Sequence, residues 1–135
     1  MTKPWLQSYP PGVPYTVDVE QFTSLNQLLE NALKTHDSKQ FSVCMGSTMT
    51  YNELDTLSSA LGSWLQAQGL EPGARVAIML PNTPQFAVSM VAILRAGYVC
   101  VNVNPLYTPR ELAHQLRDSG ASAIVILENF ASVLQ

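Results

Sequence analysis

Apolar positions recur along this chain in two rhythms, and the change between them falls near Gly69. Leu25, Leu28, Leu29, Ala32 and Leu33 keep the spacing of one helical face, and Ser24 stands where an N-cap belongs. Phe41–Met45 and Ser47–Thr50 read as two short strands about a turn at Gly46. Thr50-Tyr-Asn-Glu53 fits a capping box, in which the Thr hydroxyl and the Glu carboxylate each satisfy an otherwise unpaired backbone N–H and so fix a helix start. Tyr51, Leu54, Leu57, Leu61, Trp64 and Leu65 then predict a single apolar stripe, with Gly69 as its left-handed stop.

The second rhythm is one of short unbroken runs. Arg75–Leu80, Val99–Val103 and Ser122–Leu127 are apolar on successive residues, the pattern of strands buried on both faces. Between them lie two helices. One is opened by Thr83 and Pro84 as N-cap and N1 and closed at Gly97; the other begins with the capping box Thr108-Pro-Arg-Glu111 and stops at Gly120. The order is βαβαβ from residue 75 on. Such crossovers are right-handed in nearly all cases, which predicts a mostly parallel sheet flanked by helices, an α/β fold. Ahead of it stand an arm (1–20), extended by Pro4, Pro10, Pro11 and Pro14, and then the first helix, the hairpin and the second helix. Trp5, Tyr9 and Tyr15 predict that the arm packs onto something.

Composition sharpens this. Charged residues are 13% of the chain and hydrophobic ones 47%, against about 25% charged in an ordinary soluble domain. The helix from Pro84 to Ala96 is apolar nearly all round and should be sandwiched, yet little of the remaining sequence is left to cover its second side. Residues 128–135 show no clear closing element. Together these predict that 21–135 is an incomplete part of a larger domain, and that the isolated chain self-associates.

The net charge of −3 and scattered Lys and Arg argue against nucleic acid and give no polybasic membrane anchor. The N-terminus lacks the apolar core of a signal peptide, and Phe86–Leu94 is far short of the ~20 residues a membrane helix needs. Cys44 and Cys100 read as reduced thiols in apolar strands, and a cytoplasmic location follows.

Candidate chemistry is sparse. The seven glycines are too dispersed for a phosphate-cradling loop and read as turns and helix stops, except Gly62, which is expected to allow close helix packing. His36 and His114 have no metal-ligand spacing and read as solvated; no serine has a nucleophile-elbow context. Neither a catalytic, a cofactor-binding nor a metal residue is assigned. In open α/β sheets ligands bind beyond the carboxyl ends of the strands. This leaves Asn82, Asn104, Tyr107 and Thr108 as candidate site positions, with helix capping and turn formation as the alternative role of the same residues.

Several segments resemble a known family. Met49-Thr-Tyr-Asn-Glu-Leu54 is similar to the first core motif of adenylate-forming enzymes, and Ile93–Tyr98 with Val101-Asn-Val-Asn-Pro105 to the second. Asn104–Leu112, Asp118–Ala123 and the arm segments Trp5–Pro10 and Gly12–Pro14 resemble the bacterial long-chain fatty acyl-CoA synthetase branch in particular. The resemblance implies a two-step reaction: a fatty acid carboxylate attacks the α-phosphate of Mg²⁺-bound ATP, and the CoA thiol then displaces AMP from the acyl-adenylate. The family's phosphate loop, adenine and ribose contacts and late lysine would lie downstream, in the rest of a large N-terminal domain and a mobile C-terminal domain. None is carried over onto a residue here, and Glu128-Asn129-Phe130 lacks the basic charge with which some relatives hold CoA. The chain alone is expected to be an inactive scaffold that binds neither ATP nor CoA. The longer enzyme is expected in the cytoplasm or peripherally at the membrane. Another adenylating branch (an aryl-CoA ligase or peptide-synthetase adenylation domain) and a non-enzymatic self-association module are the competing readings.

Overall fold

The computed structural model describes residues 3–134; Met1 and Thr2 of the expected arm, and Gln135, lie outside the described residues. After a 3-10 turn at Pro4–Ser8, the elements run α1 (Leu25–Thr35), β1 (Gln40–Cys44), β2 (Ser47–Thr50), α2 (Tyr51–Gln66), β3 (Arg75–Met79), α3 (Pro84–Arg95), β4 (Val99–Asn102), α4 (Pro109–Ser119) and β5 (Ala123–Ile126). A 3-10 segment, Glu128–Leu134, follows where the sequence predicted no closing element. Its half-buried Val133 packs on the core, an anchor that a segment this short does not announce in the sequence.

The local signals act as their chemistry requires. Ser24 Oγ accepts from the Gln27 N–H, and both capping boxes are closed. β1 and β2 pair antiparallel about a two-residue loop in which Met45 (φ 50) and Gly46 (φ 83) are both left-handed, matching the twist of a tight hairpin. β3 is the centre of a three-stranded parallel sheet in the order β4-β3-β5. The chain therefore leaves β3 toward one edge and crosses back to the other, and right-handed crossovers then put α3 and α4 on opposite faces. Alternate residues of β3 show this directly: Val76, Ile78 and Leu80 pack with Ala92 and Ile93 of α3, while Ala77 and Met79 pack with Leu112 of α4. A third cluster joins Leu33 of α1, Leu54 of α2 and Val91 of α3.

That third cluster corrects two expectations. α3 is covered on its second side by α1 and α2, so its apolar circumference is explained within this chain. It also divides the predicted stripe of α2. The buried residues are Leu54, Ser58, Gly62 and Leu65, whereas Leu57 and Trp64 are 48% and 57% exposed. Two small residues had taken the core-facing positions because α2 and α3 touch closely: a Cβ on Gly62 would lie 3.2 Å from the Ala92 carbonyl oxygen. The arm departs from expectation as well. It begins with a 3-10 turn rather than extended chain, and Trp5 and Tyr15 are 56% and 66% exposed, packed onto no core.

Candidate functional site

Because β3, β4 and β5 are parallel, their carboxyl ends share one edge. The Val103 N–H donates to the Ile78 carbonyl (2.9 Å) and the Leu127 N–H to the Met79 carbonyl (3.4 Å), which brings Pro81–Thr83, Asn104–Thr108 and Glu128 to that edge. The four candidate residues stand there in different states. Asn82 is exposed, in the turn between β3 and α3. Asn104 Oδ1 accepts from the Leu106 N–H (3.0 Å) and its carbonyl from the Tyr107 N–H (3.1 Å), the bonds of an Asx turn. Thr108 caps α4: its Oγ1 accepts from the Glu111 N–H (3.4 Å) and donates to Glu111 Oε2 (2.7 Å). Tyr107 is half-buried against the Met79, Val103 and Leu112 cluster. Tyr107 and Thr108 together border an open groove of about 740 Å³ that continues along α4 past Arg110, Glu111, His114 and Asp118; Asn82 and Asn104 do not line it.

A nucleotide triphosphate needs converging backbone N–H groups, cationic side chains and oxygen ligands for its metal. The strand-end edge supplies capped turns and the Glu128 carboxylate instead. Among the described residues no three His, Cys, Asp or Glu side chains gather as a metal site. The residues present do not fit Mg²⁺-bound ATP, and no chemical step is drawn through it. Thr83 begins α3 as expected but makes no side-chain cap bond, its hydroxyl lying 3.5 Å from the Pro81 carbonyl instead.

The densest polar cluster is elsewhere. Arg95, the one charged residue of α3, donates from Nε to Glu30 Oε1 (2.7 Å) and from Nη1 to the Asp55 carbonyl (3.0 Å), Ser58 Oγ (2.8 Å) and Ser59 Oγ (2.9 Å); Nη2 reaches the Asp55 carboxylate. Glu30 above all, and then Asp55, raise the Arg95 pKa further, against the opposing effect of burial. Asn26 Nδ2 donates to the Leu94 carbonyl (2.8 Å) beside it, so the C-terminus of α3 is tied to both α1 and α2. The signal in the sequence was a lone arginine ending an otherwise apolar helix. His36 is also half-buried, edge-on to Tyr51 (centroids 5.5 Å apart), rather than solvated, while His114 is exposed. Cys44 and Cys100 are free, and burial raises the Cys100 thiol pKa.

This scaffold has close counterparts. The AMP-binding enzyme family matches residues 29–135. The chain belongs to that family. A long-chain-fatty-acid–CoA ligase of Yersinia pestis is 47% identical over 136 residues, covering 100% of this chain and 24% of the relative, and one from Salmonella typhimurium is 48% identical with the same coverage. Triostin synthetase I of Streptomyces triostinicus is 36% identical over 106 residues, 78% of this chain. The chain spans about a quarter of the length of the fatty-acid ligases it matches. In structure, the N-terminal subdomain of Klebsiella oxytoca NpsA bound to anthranilyl-AMSN superposes with a TM-score of 0.75 at 25% identity, over 83% of this chain and 29% of that one. A benzoate CoA ligase from Burkholderia xenovorans shares the fold, with a TM-score of 0.77 at 24% identity over 84% of this chain and 23% of that one. Among the described residues no helix is long and apolar enough to cross a membrane.

Proposed function

We propose that this chain is the leading part of an ATP-dependent ligase that joins long-chain fatty acids to CoA through an acyl-adenylate. The observation that carries the reading is identity at 47–48% across all of the chain to fatty-acid–CoA ligases, against 36% over 106 residues to triostin synthetase I. Residues 1–20 act as an arm and 21–135 as one flank of the adenylating domain. Its carboxyl edge, with Asn82, Asn104, Tyr107 and Thr108, faces the substrate side in the longer enzyme. The residues that bind Mg²⁺, ATP and CoA are supplied by the remainder of the synthetase and its mobile C-terminal domain. In this division of labour the chain contributes rigidity: the capping boxes and the Arg95 cluster fix helices so that the strand ends keep their positions. The enzyme works in the cytoplasm, at the membrane periphery.

The test is to express the reading frame at the length of its relatives and follow acid-dependent release of diphosphate and AMP. Palmitate or oleate should be activated far better than benzoate or any amino acid; a preference for aryl or amino acids would overturn the reading. The 135-residue chain alone should show no heat of binding with ATP or CoA at micromolar concentration.

A further inference from the structure

We infer that Gln115 of α4 is a positioning residue: its side-chain amide holds the end of β4 and thereby sets the turn that carries Asn104, Tyr107 and Thr108 at the substrate edge. This role rests on the fatty-acid ligase reading and adds to it a residue that shapes that edge from outside it. Gln115 Nε2 donates to the Asn102 carbonyl (2.8 Å), 13 positions back along the chain. Asn102 is the last residue of β4. Parallel pairing leaves its carbonyl open to such a bond. The Val99 and Val103 N–H groups turn toward β3 and donate to the Ala74 and Ile78 carbonyls (both 2.9 Å), so the carbonyl of Asn102 turns to the outer side of the strand.

The connection from β4 to α4 is fixed at three places. At its far end the capping box of Thr108 and Glu111 starts the helix. In its middle Asn104 accepts from the Leu106 and Tyr107 N–H groups. Both of these are local bonds. Gln115 alone makes a polar bond across the connection, from the helix to the strand end. Val103 and Leu112 also pack together there, but apolar contact is non-directional, whereas a hydrogen bond fixes the direction of the carbonyl it meets. Gln115 further lines the groove beside Tyr107 and Thr108. Its amide is half used, for Oε1 is buried and accepts no hydrogen bond among the described residues. Turning the amide over would set oxygen against the Asn102 oxygen, so its orientation is determined. A buried acceptor without a donor detracts from stability, which makes net stabilisation a poor account of this side chain.

The test compares two variants of the full-length enzyme with oleate, ATP and CoA. Gln115→Leu keeps the bulk and removes the donor; Gln115→Glu keeps the shape but donates only when its carboxyl is protonated. Gln115→Leu should lower kcat/KM for oleate about tenfold through a misplaced turn. Its KM for ATP should stay within about twofold, because the strand-end edge offers a triphosphate neither converging N–H groups nor cations. Gln115→Glu should be as poor at about pH 8 and recover toward the original at about pH 6, where half-burial beside Glu111 and Asp118 keeps part of the new carboxyl protonated. Each value is taken as a ratio to the original protein at the same pH, which removes the titration of His114 and the other groove residues. Amide hydrogen exchange over residues 103–108 should quicken in Gln115→Leu while α3 keeps its protection. Unchanged kcat/KM for oleate, or unchanged exchange over that turn, overturns the role. So does a Gln115→Glu variant whose ratio ignores pH. A loss in both variants that follows a fall in unfolding temperature makes Gln115 a structural residue and overturns it too. The two readings fail separately. An original enzyme that forms no acyl-CoA from oleate sinks the ligase reading, with exchange still deciding Gln115; an active enzyme with indifferent variants sinks the positioning role alone.

Discussion

α3 and α4 close two successive crossovers on the same sheet, yet only Gln85 of α3 is exposed, while Arg110, Glu111, His114, Arg117 and Asp118 of α4 stand in solvent. The difference is one of layers. α3 lies between the sheet and a second layer made by α1 and α2; α4 has the sheet beneath it and water above. A helix's apolar circumference thus reports how many layers cover it, and the two sides of β3 should respond differently to injury. α4 hangs on few contacts, with Leu112 as its only buried residue, whereas α3 is held by packing, by close approach at Gly62 and by the Arg95 cluster.

The most severe single truncation is expected on the thin side. Leu112 is 1% exposed, and Leu112→Ala should cost about 3 kcal/mol by lost transfer energy and the cavity left behind. Urea unfolding would measure it, and a cost below about 1 kcal/mol would show that α4 is anchored elsewhere. On the thick side, Arg95→Ala strands two carboxylates. Glu30 and Asp55 side chains keep 36% and 45% exposure, so the loss should be about 2 kcal/mol rather than the 3–5 of a fully buried pair. Arg95→Lys should recover only part of it, because one ammonium cannot reproduce a fork that bonds two helices.

Next comes the helix contact itself. Gly62→Val should cost about 1–2 kcal/mol by pushing α2 off α3. Gly62→Ala should come out near zero: a Cβ at 3.2 Å from the Ala92 oxygen opposes the roughly 0.5–1 kcal/mol that Ala gains over Gly in a helix. A clear stabilisation by Ala, read from the same urea curves, would mean that the two backbones have slack.

These residues also mark where the sequence was readable. The βαβαβ order, the hairpin and the helix starts could be read because each rests on local chemistry: runs of apolar residues, Thr and Glu three apart, glycines where φ is positive. The face of α2 could not. Period alone favoured Leu57 and Trp64, but the buried positions went to Ser58 and to Gly62, the glycine expected to allow close helix packing, because the partner helix comes within touching distance. The cover over α3 was misjudged for the same reason, since Leu33 and Leu54 lie far away in sequence from Val91. At the strand ends, Asn104 and Thr108 had two roles legible in one residue type, and their turn and cap bonds are the ones seen. The Arg95 cluster joins residues 36 to 65 positions apart, beyond the reach of any motif.

The smallest expected effect separates the two capping boxes, one on each side of the comparison. Glu53 accepts from the Thr50 N–H and hydroxyl (2.7 and 2.9 Å), and Glu111 from the Thr108 N–H and hydroxyl (2.8 and 2.7 Å). Bonds to the charged form hold both carboxyl groups below their ordinary value of 4.5, the backbone bond leading at Glu53 and the hydroxyl bond at Glu111. A folded pKa below the unfolded one gives stability that is fully present above the unfolded value and is lost as pH falls through the folded one. Unfolding midpoints should therefore drop as pH falls from 4.5 through the lowered range of the two carboxyl groups, and the double variant Glu53→Gln, Glu111→Gln should flatten that slope while keeping much of the neutral-pH stability, since Gln can also close a capping box. Thr50→Ala and Thr108→Ala should each cost about 1 kcal/mol at pH 7. They should differ in reach. Without its cap α4 frays alone, exposing its first-turn amides to hydrogen exchange, whereas loss of the α2 cap spreads into the α1–α3 layer that α2 holds. An unaltered acid slope in the double Gln variant, or equal exchange patterns from the two Thr variants, would break the contrast between a one-layer and a two-layer side.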